Sequence, residues 1–428
     1  MSTLGIAPLR LTAAVLAGLL ATACATGGTG RGTQDAVGGE MAPLAAAGIS
    51  RAMPSNAPVE ATVAGMTQFG YDLYRQIAEP GKNVVLSPLS LVTAWGMVRA
   101  GARGETAAQL DRVFGLPDKG TDEALNVLTR KLVTTDGPPP TASPSTAGKG
   151  TKPGAPVVEV ANGLFIQHGM PIKGDYLHTL AAQYGAGMND VDFGSPQAKE
   201  LIDGWVKEHT ANRITKLFDE IPATTRLVIA NAVYFKGSWL VPFDPATPAP
   251  FIRADGSTVQ VPMMPLKTDD LRYATGDGWQ AVELPYAGSH LNMLIMVPTD
   301  RTDPGALLDP GAIAGAQALL QRQGVHLYLP RWDFGTTTEL LEPLAKLGLT
   351  ALNDLSGISD SGLYVGEAIH RANITVDEHG TEAAAVTGIE AESMPPEVRA
   401  DRPFAFAIMH KPTGTPLFIG VVADPTAR

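Results

Sequence analysis

An α+β fold, with helices packed on mixed and mostly antiparallel β-sheets, is predicted by the patterning of this chain. Apolar residues recur at helical spacing through the first third, and short strand-like runs dominate the remainder. No Pro/Gly-rich linker divides the middle into two self-sufficient halves, so the 428 residues read as one large domain despite exceeding the usual size.

The elements follow in order. Leu91, Ala94, Trp95 and Val98 place a helix after Ser87 and Pro88. Thr106 and Gln109 have capping-box spacing and open a helix through Leu110, Val113 and Phe114, which Gly115 and Pro117 stop. Leu125, Leu128 and Leu132 mark a helix over 122–135, and Leu201, Trp205 and Val206 mark another over 197–209. Strands are predicted over 157–166, 227–235, 281–284, 291–297, 326–329, 372–376, 404–409 and 417–422. Residues 136–155 form a low-complexity insertion that cannot bury enough surface to offset its ordering entropy.

The first 23 residues read as a signal peptide: Arg10, an apolar run over 11–20, and small residues leading into Cys24. The apolar run is too short to span a bilayer. Cys24 is the sole cysteine and sits where a bacterial lipoprotein is cut and acylated, although Ala21 and Ala23 also suit an ordinary signal peptidase. An exported protein is expected, extracellular or held at a membrane only through lipid on Cys24. Residues 24–55, rich in Gly, Ala, Thr and Pro, then read as a flexible tether to a domain over 56–428. The net charge of −11 and the absence of any Lys/Arg run exclude a nucleic-acid or polyanion-binding face.

Residues 381–393 alternate. Thr381, Ala383, Ala385, Thr387, Ile389, Ala391 and Ser393 would share one face of a strand; Glu382, Ala384, Val386, Gly388, Glu390 and Glu392 would share the other. This composition also suits a helix, against which Thr387, Gly388 and the pair Pro395–Pro396 stand. The prolines end the strand without a hairpin turn. A segment patterned as a strand and bounded as a loop is a strand that is not always in its sheet.

Residues 376–385 (VDEHGTEAAA) resemble the hinge of the serpins, the suicide inhibitors of serine proteases. Five further blocks resemble serpin sequence in family order and spacing: 83–90 (NVVLSPLS), 231–239 (NAVYFKGSW), 327–334 (LYLPRWDF), 401–404 (DRPF) and 416–422 (PLFIGVV). The resemblance runs from about residue 58 to the C-terminus.

It implies a monomer that offers an exposed reactive-centre loop, residues 380–396, to a serine endopeptidase and holds the enzyme covalently after the cut loop inserts into the central sheet. Gly380, Thr381, Glu382, Ala383, Ala384, Ala385, Val386 and Thr387 match the hinge, with Glu378 at its base pairing with a basic residue; block position suggests Lys267. Ser87, Asn231 and His370 match a polar cluster beneath the sheet whose implied role is a latch between neighbouring strands. Counting forward from Gly380 places the cut after Met394, before a proline that most serine proteases tolerate poorly. Counting back from Pro395 places it between Glu392 and Ser393, with Ser393–Met394 as second choice. The disagreement makes the loop shorter than usual for the family.

An enzyme is disfavoured: the chain has no HExxH, no Gly-x-Ser-x-Gly and no phosphate-cradling loop, and its eight histidines are scattered. No cofactor or metal site is indicated. The remaining competitor is a non-inhibitory relative acting as a binding or carrier protein. The small residues on the inward hinge face argue against it.

Overall fold

The computed structural model describes residues 41–46, 48–134, 155–299, 303–379 and 395–427. Cys24, the insertion up to residue 154, and residues 380–394 with their hinge and reactive-bond assignments lie outside the described residues.

Four helices open the domain: α1 (Val59–Ile77), α2 (Pro88–Gly101), α3 (Gly104–Phe114) and α4 (Thr121–Leu132). The α1 helix turns Val63, Met66, Phe69, Gly70 and Leu73 inward, the spacing of a single buried stripe. It crosses the end of α3 so closely that a Cβ on Gly65 would lie 2.0 Å from the Gly115 carbonyl oxygen. Gly115 ends α3 in the left-handed region at φ 60°, as its position predicts. The α3 start differs from expectation. The helix begins at Gly104, and Thr106 and Gln109 accept amides of Asp354, Thr350 and Ala351 from a distant loop instead of capping the helix. The α2 helix is buried almost throughout, with Ser87 as its N-cap and Pro88 in the first turn.

Later helices are α5 (Gly174–Thr179), α6 (Ala198–His209), α7 (Pro310–Leu319) and α8 (Leu341–Lys346). The strands are β1 (Ala42–Leu44), β2 (Val84–Leu86), β3 (Val157–Gln167), β4 (Met188–Val191), β5 (Leu227–Lys236), β6 (Thr247–Ile252), β7 (Thr258–Gly276), β8 (Trp279–Pro285), β9 (Leu291–Pro298), β10 (Gln321–Pro330), β11 (Trp332–Glu339), β12 (Glu367–Val376), β13 (Glu397–Arg399), β14 (Phe404–His410) and β15 (Thr415–Val422). They form a six-stranded sheet in the order β1-β4-β3-β5-β12-β11 and a nine-stranded sheet, β13-β10-β7-β8-β9-β14-β15-β2 with β6 on β7. Pairing is antiparallel except for β3 with β4, β5 with β12 and β10 with β13 among the described residues. This is the mixed, mostly antiparallel α+β arrangement predicted from the sequence. The α2 helix packs on one face of the six-stranded sheet, beneath β3 and β5, and α6 packs on the other through Ile202 and Val206.

One expectation is corrected. Residues 42–44, read as part of a flexible tether, add an antiparallel strand to the open edge of β4, with Ala42 opposite Asp190 and Leu44 opposite Met188. An unpaired sheet edge offers backbone partners to any extended segment within reach. Arg51 then donates to Asn126 Oδ1 (3.1 Å) and to Thr129, while Asn126 returns a bond to the Ala52 carbonyl (3.1 Å). The described residues of 41–55 are therefore docked on the domain.

Candidate functional site

One of the two parallel pairings in the six-stranded sheet is the seam that joins the inner strand β5 to β12. Six residue pairs join β12 to β5, from Glu367 opposite Val228 to Ala372 opposite Val233. Beyond that point β5 stays paired with β3 as far as Lys236, and β12 stays paired with β11 as far as Val376. A cavity of about 100 Å³ lies there, lined by Val233 and Phe235 on one side and by Asn373, Thr375 and Asp377 on the other. The chain leaves β12 beside this cavity.

Polar residues cross the seam one below the other. Asn162 of β3 faces Asn231 of β5, which faces His370 of β12, which faces Thr338 of β11. Asn231 and His370 are both 0% exposed. His370 Nε2 accepts the Ser87 amide at 3.1 Å, which leaves Nδ1 as the protonated nitrogen that donates to Asn231 Oδ1. The Asn231 amide donates to the Ser90 carbonyl (2.9 Å), to Ser90 Oγ (2.7 Å) and to Asn162. The structure brings Ser87, Asn231 and His370 together, with Ser90 and Asn162 as two further partners. Asn162 shares its strand with Glu159 and Gln167, so its place in the row was not marked by the sequence.

Burial lowers the His370 pKa from 6.5 to about 3. The folded protein therefore holds a neutral imidazole that the unfolded chain would protonate. Its contribution to stability is complete above 6.5 and drains as pH falls toward 3, at up to about 1.4 kcal/mol per pH unit. His370→Leu strands the Ser87 amide and should cost about 2 kcal/mol at neutral pH. It should also remove this one-proton slope between pH 6.5 and 3, measured by denaturant unfolding across that range.

Above the seam, the base of the hinge is fastened to the segment after β5. Glu378 is 5% exposed. Arg331 grips its carboxylate with two nitrogens, Nε at 2.6 Å and Nη2 opposite Oε1, and the Ala246 amide donates to Oε1 at 2.8 Å. The backbone is held as well: Phe243 N donates to the Glu378 carbonyl (2.8 Å) and Trp239 N to the His379 carbonyl (3.1 Å). Trp239 Nε1 donates to the Asp377 carbonyl at 3.0 Å, its indole stacked 4.6 Å from Tyr286. Lys267 is not the partner of Glu378. It lies in β7 opposite His326 of β10, in the other sheet. Arg331, at the turn from β10 into β11, takes that place, and the planar guanidinium fits a carboxylate with two bonds where an ammonium offers one point charge.

Burial alone would raise the Glu378 pKa, but the Arg331 bonds and the Ala246 amide outweigh it and hold it below 4.5. The ion pair accordingly contributes fully above 4.5 and is lost as pH falls through the lower folded value. Arg331→Met should cost about 2 kcal/mol at neutral pH, a figure discounted because half of the Arg331 side chain is in solvent. The loss should fade as pH falls through the lowered folded value of Glu378, as read by urea unfolding from neutral pH down through the acid range.

Comparison with known proteins places this architecture. Residues 64–425 match the family described as Serpin (serine protease inhibitor). The chain is 34% identical over 380 residues to an uncharacterized serpin-like protein of Thermococcus kodakarensis, covering 85% of each. It is 32% identical over 394 residues to plasminogen activator inhibitor 1 of Bos taurus, covering 86% of this chain and 94% of that one. Among solved structures it resembles a thyroxine-binding globulin complex with thyroxine, at 25% identity and TM-score 0.74, covering 85% of this chain and 99% of that one. Members of this family are mostly protease inhibitors and not enzymes. The chain belongs to the serpin family.

Proposed function

We propose that the protein is a suicide inhibitor of serine endopeptidases. It offers residues 380–396 as bait and traps the enzyme when the cut loop enters the seam between β5 and β12. The observation that carries this reading is the parallel pairing of those two strands, with the chain leaving β12 beside the cavity. A segment doubling back from His379 would run antiparallel to both neighbours. One six-pair parallel ladder would be exchanged for two antiparallel ones, the more stable kind.

In the chemical step the enzyme's serine oxygen attacks the Glu392 carbonyl, the bond to Ser393 breaks, and Ser393 leaves as a protonated amine. An ester then joins Glu392 to the enzyme. Insertion draws that ester away from the docking site and deforms the enzyme before water can cleave it. Cleavage at Ser393–Met394 would follow the same course one residue later. The polar row under the seam acts as the latch, because entry of a strand must part His370 from Asn231.

The likeness to thyroxine-binding globulin favours a second reading, a binding or carrier protein that does not insert. Incubation with chymotrypsin-, elastase- and glutamyl-specific endopeptidases separates the two. A complex that survives denaturation, with a released peptide beginning at Ser393 or Met394, supports the trap. Clean cleavage with no complex refutes it and leaves the carrier reading.

Export with lipid on Cys24 completes the proposal. Cys24→Ser is expected to move the protein from the membrane to the soluble fraction of its native cell with inhibition unchanged. Retention in the membrane fraction would refute the anchor.

A further inference from the structure

Away from the seam, a cavity of about 640 Å³ opens where the end of α1 meets the β6–β7 turn and the segment leading into β14. That volume is within the range of small-molecule sites. Its apolar wall includes Ala78, Pro304, Pro403 and Val421. Three polar groups converge on it and are not spent on the protein. Tyr74 is 6% exposed, and its ring ends against Gly305, beside Asp303 and Pro304 of the cavity wall, yet its hydroxyl has no hydrogen-bond partner among the described residues. Among the described residues Arg402 donates only Nε, to Asp401 (2.9 Å), which leaves both terminal nitrogens open. Lys82 makes no side-chain bond among the described residues. Arg253, by contrast, is consumed by Asp424 (2.6 Å), Thr426 and Ser257.

We propose that this cavity is a binding site for a small organic carboxylate with a compact apolar body, held by Arg402, Lys82 and the Tyr74 hydroxyl. The Tyr74 hydroxyl meets the cavity wall with no partner among the described residues, so it is free to donate to a ligand acceptor. The guanidinium and ammonium supply charge-assisted donors to the carboxylate. Glu79 and Asp303 share the wall, and Asp303 already accepts the Gly305 amide at 3.0 Å. These acids set the ligand's charge: a single carboxylate is tolerated, whereas a polyanion is repelled. No hinge or seam residue is involved, so the inference stands apart from the inhibitory reading.

The test uses the full chain and three probes, 2-naphthoate, 4-phenylbutyrate and decanoate, with 2-naphthamide as the uncharged counterpart, by titration calorimetry. Saturable one-to-one binding of at least one carboxylate is expected, about tenfold tighter for naphthoate than for the amide where naphthoate binds. Arg402→Ala should weaken that carboxylate about tenfold and Tyr74→Phe several-fold. Ala78→Trp should abolish binding by filling the cavity. If that variant does not fold, the double variant Lys82→Ala/Arg402→Ala decides. No saturable binding by any of the three, or binding indifferent to Arg402→Ala, would overturn the site.

Discussion

Thr381→Arg is expected to convert the protein from an inhibitor into a substrate, cut at the same bond but releasing active enzyme. The reason lies in the seam. A strand entering between β5 and β12 sets alternate side chains toward the core beneath the sheet, where Val233 and Val376 at the entry end are each 3% exposed. Alternation puts Thr381, Ala383, Ala385 and Thr387 on that face. A hydroxyl or methyl can be closed over there. An arginine cannot, because an unpaired charge in such a place costs several kcal/mol. Each 1.4 kcal/mol added to the insertion barrier slows it about tenfold. Deacylation of the ester proceeds at the enzyme's own rate, so a penalty of this size hands the competition to hydrolysis. Glu382→Arg, on the other face of the strand, is the control and should keep inhibition. Stable complex with Thr381→Arg, seen on a denaturing gel, would mean that the loop does not insert with this face inward.

Much of the scaffold was legible because its signals are local. The α2 helix announces itself through Ser87, Pro88 and an apolar period, and α3 stops where Gly115 predicts. The central strand β5 is apolar along most of its length, with Asn231 in its middle and Tyr234 and Lys236 toward its end, so its position and its buried amide were both readable. Other elements were hidden by physical causes. The β12 strand extends five residues earlier than the predicted 372–376, because Glu367, His370 and Arg371 break the apolar run while their burial is decided by neighbouring strands. The 19-residue β7 strand contains Pro262 and Pro265, which read as terminators, yet Pro262 sits opposite Pro248 of β6 and Pro265 opposite Tyr328 of β10. Strand β1 is three residues of no marked pattern, fixed by the open edge of β4.

The candidate site divides in the same way. His370 lies in none of the matched blocks and was placed by its spacing to Glu378, whereas Ser87 and Asn231 could be named from theirs. The cation that meets Glu378 could not, because the choice between Lys267 and Arg331 depends on how the β10–β11 turn passes the end of β12. Thr106 and Gln109 show the converse. Their spacing is that of a helix cap, but their hydrogen bonds go to a loop some 240 residues away, with sequence separations of 241 to 248.

The most direct measurement of the central claim is to lock the seam. Ala232 and Arg371 are direct neighbours in the parallel register and lie on the face away from Asn231 and His370. A disulfide between Ala232→Cys and Arg371→Cys, made in a Cys24→Ser background, would join adjacent strands within the ordinary span of the bond. Oxidised protein should be cleaved in the loop by the target endopeptidase yet form no denaturation-resistant complex. Reduction should restore the complex. Covalent complex formed equally well with the disulfide intact would contradict insertion between β5 and β12.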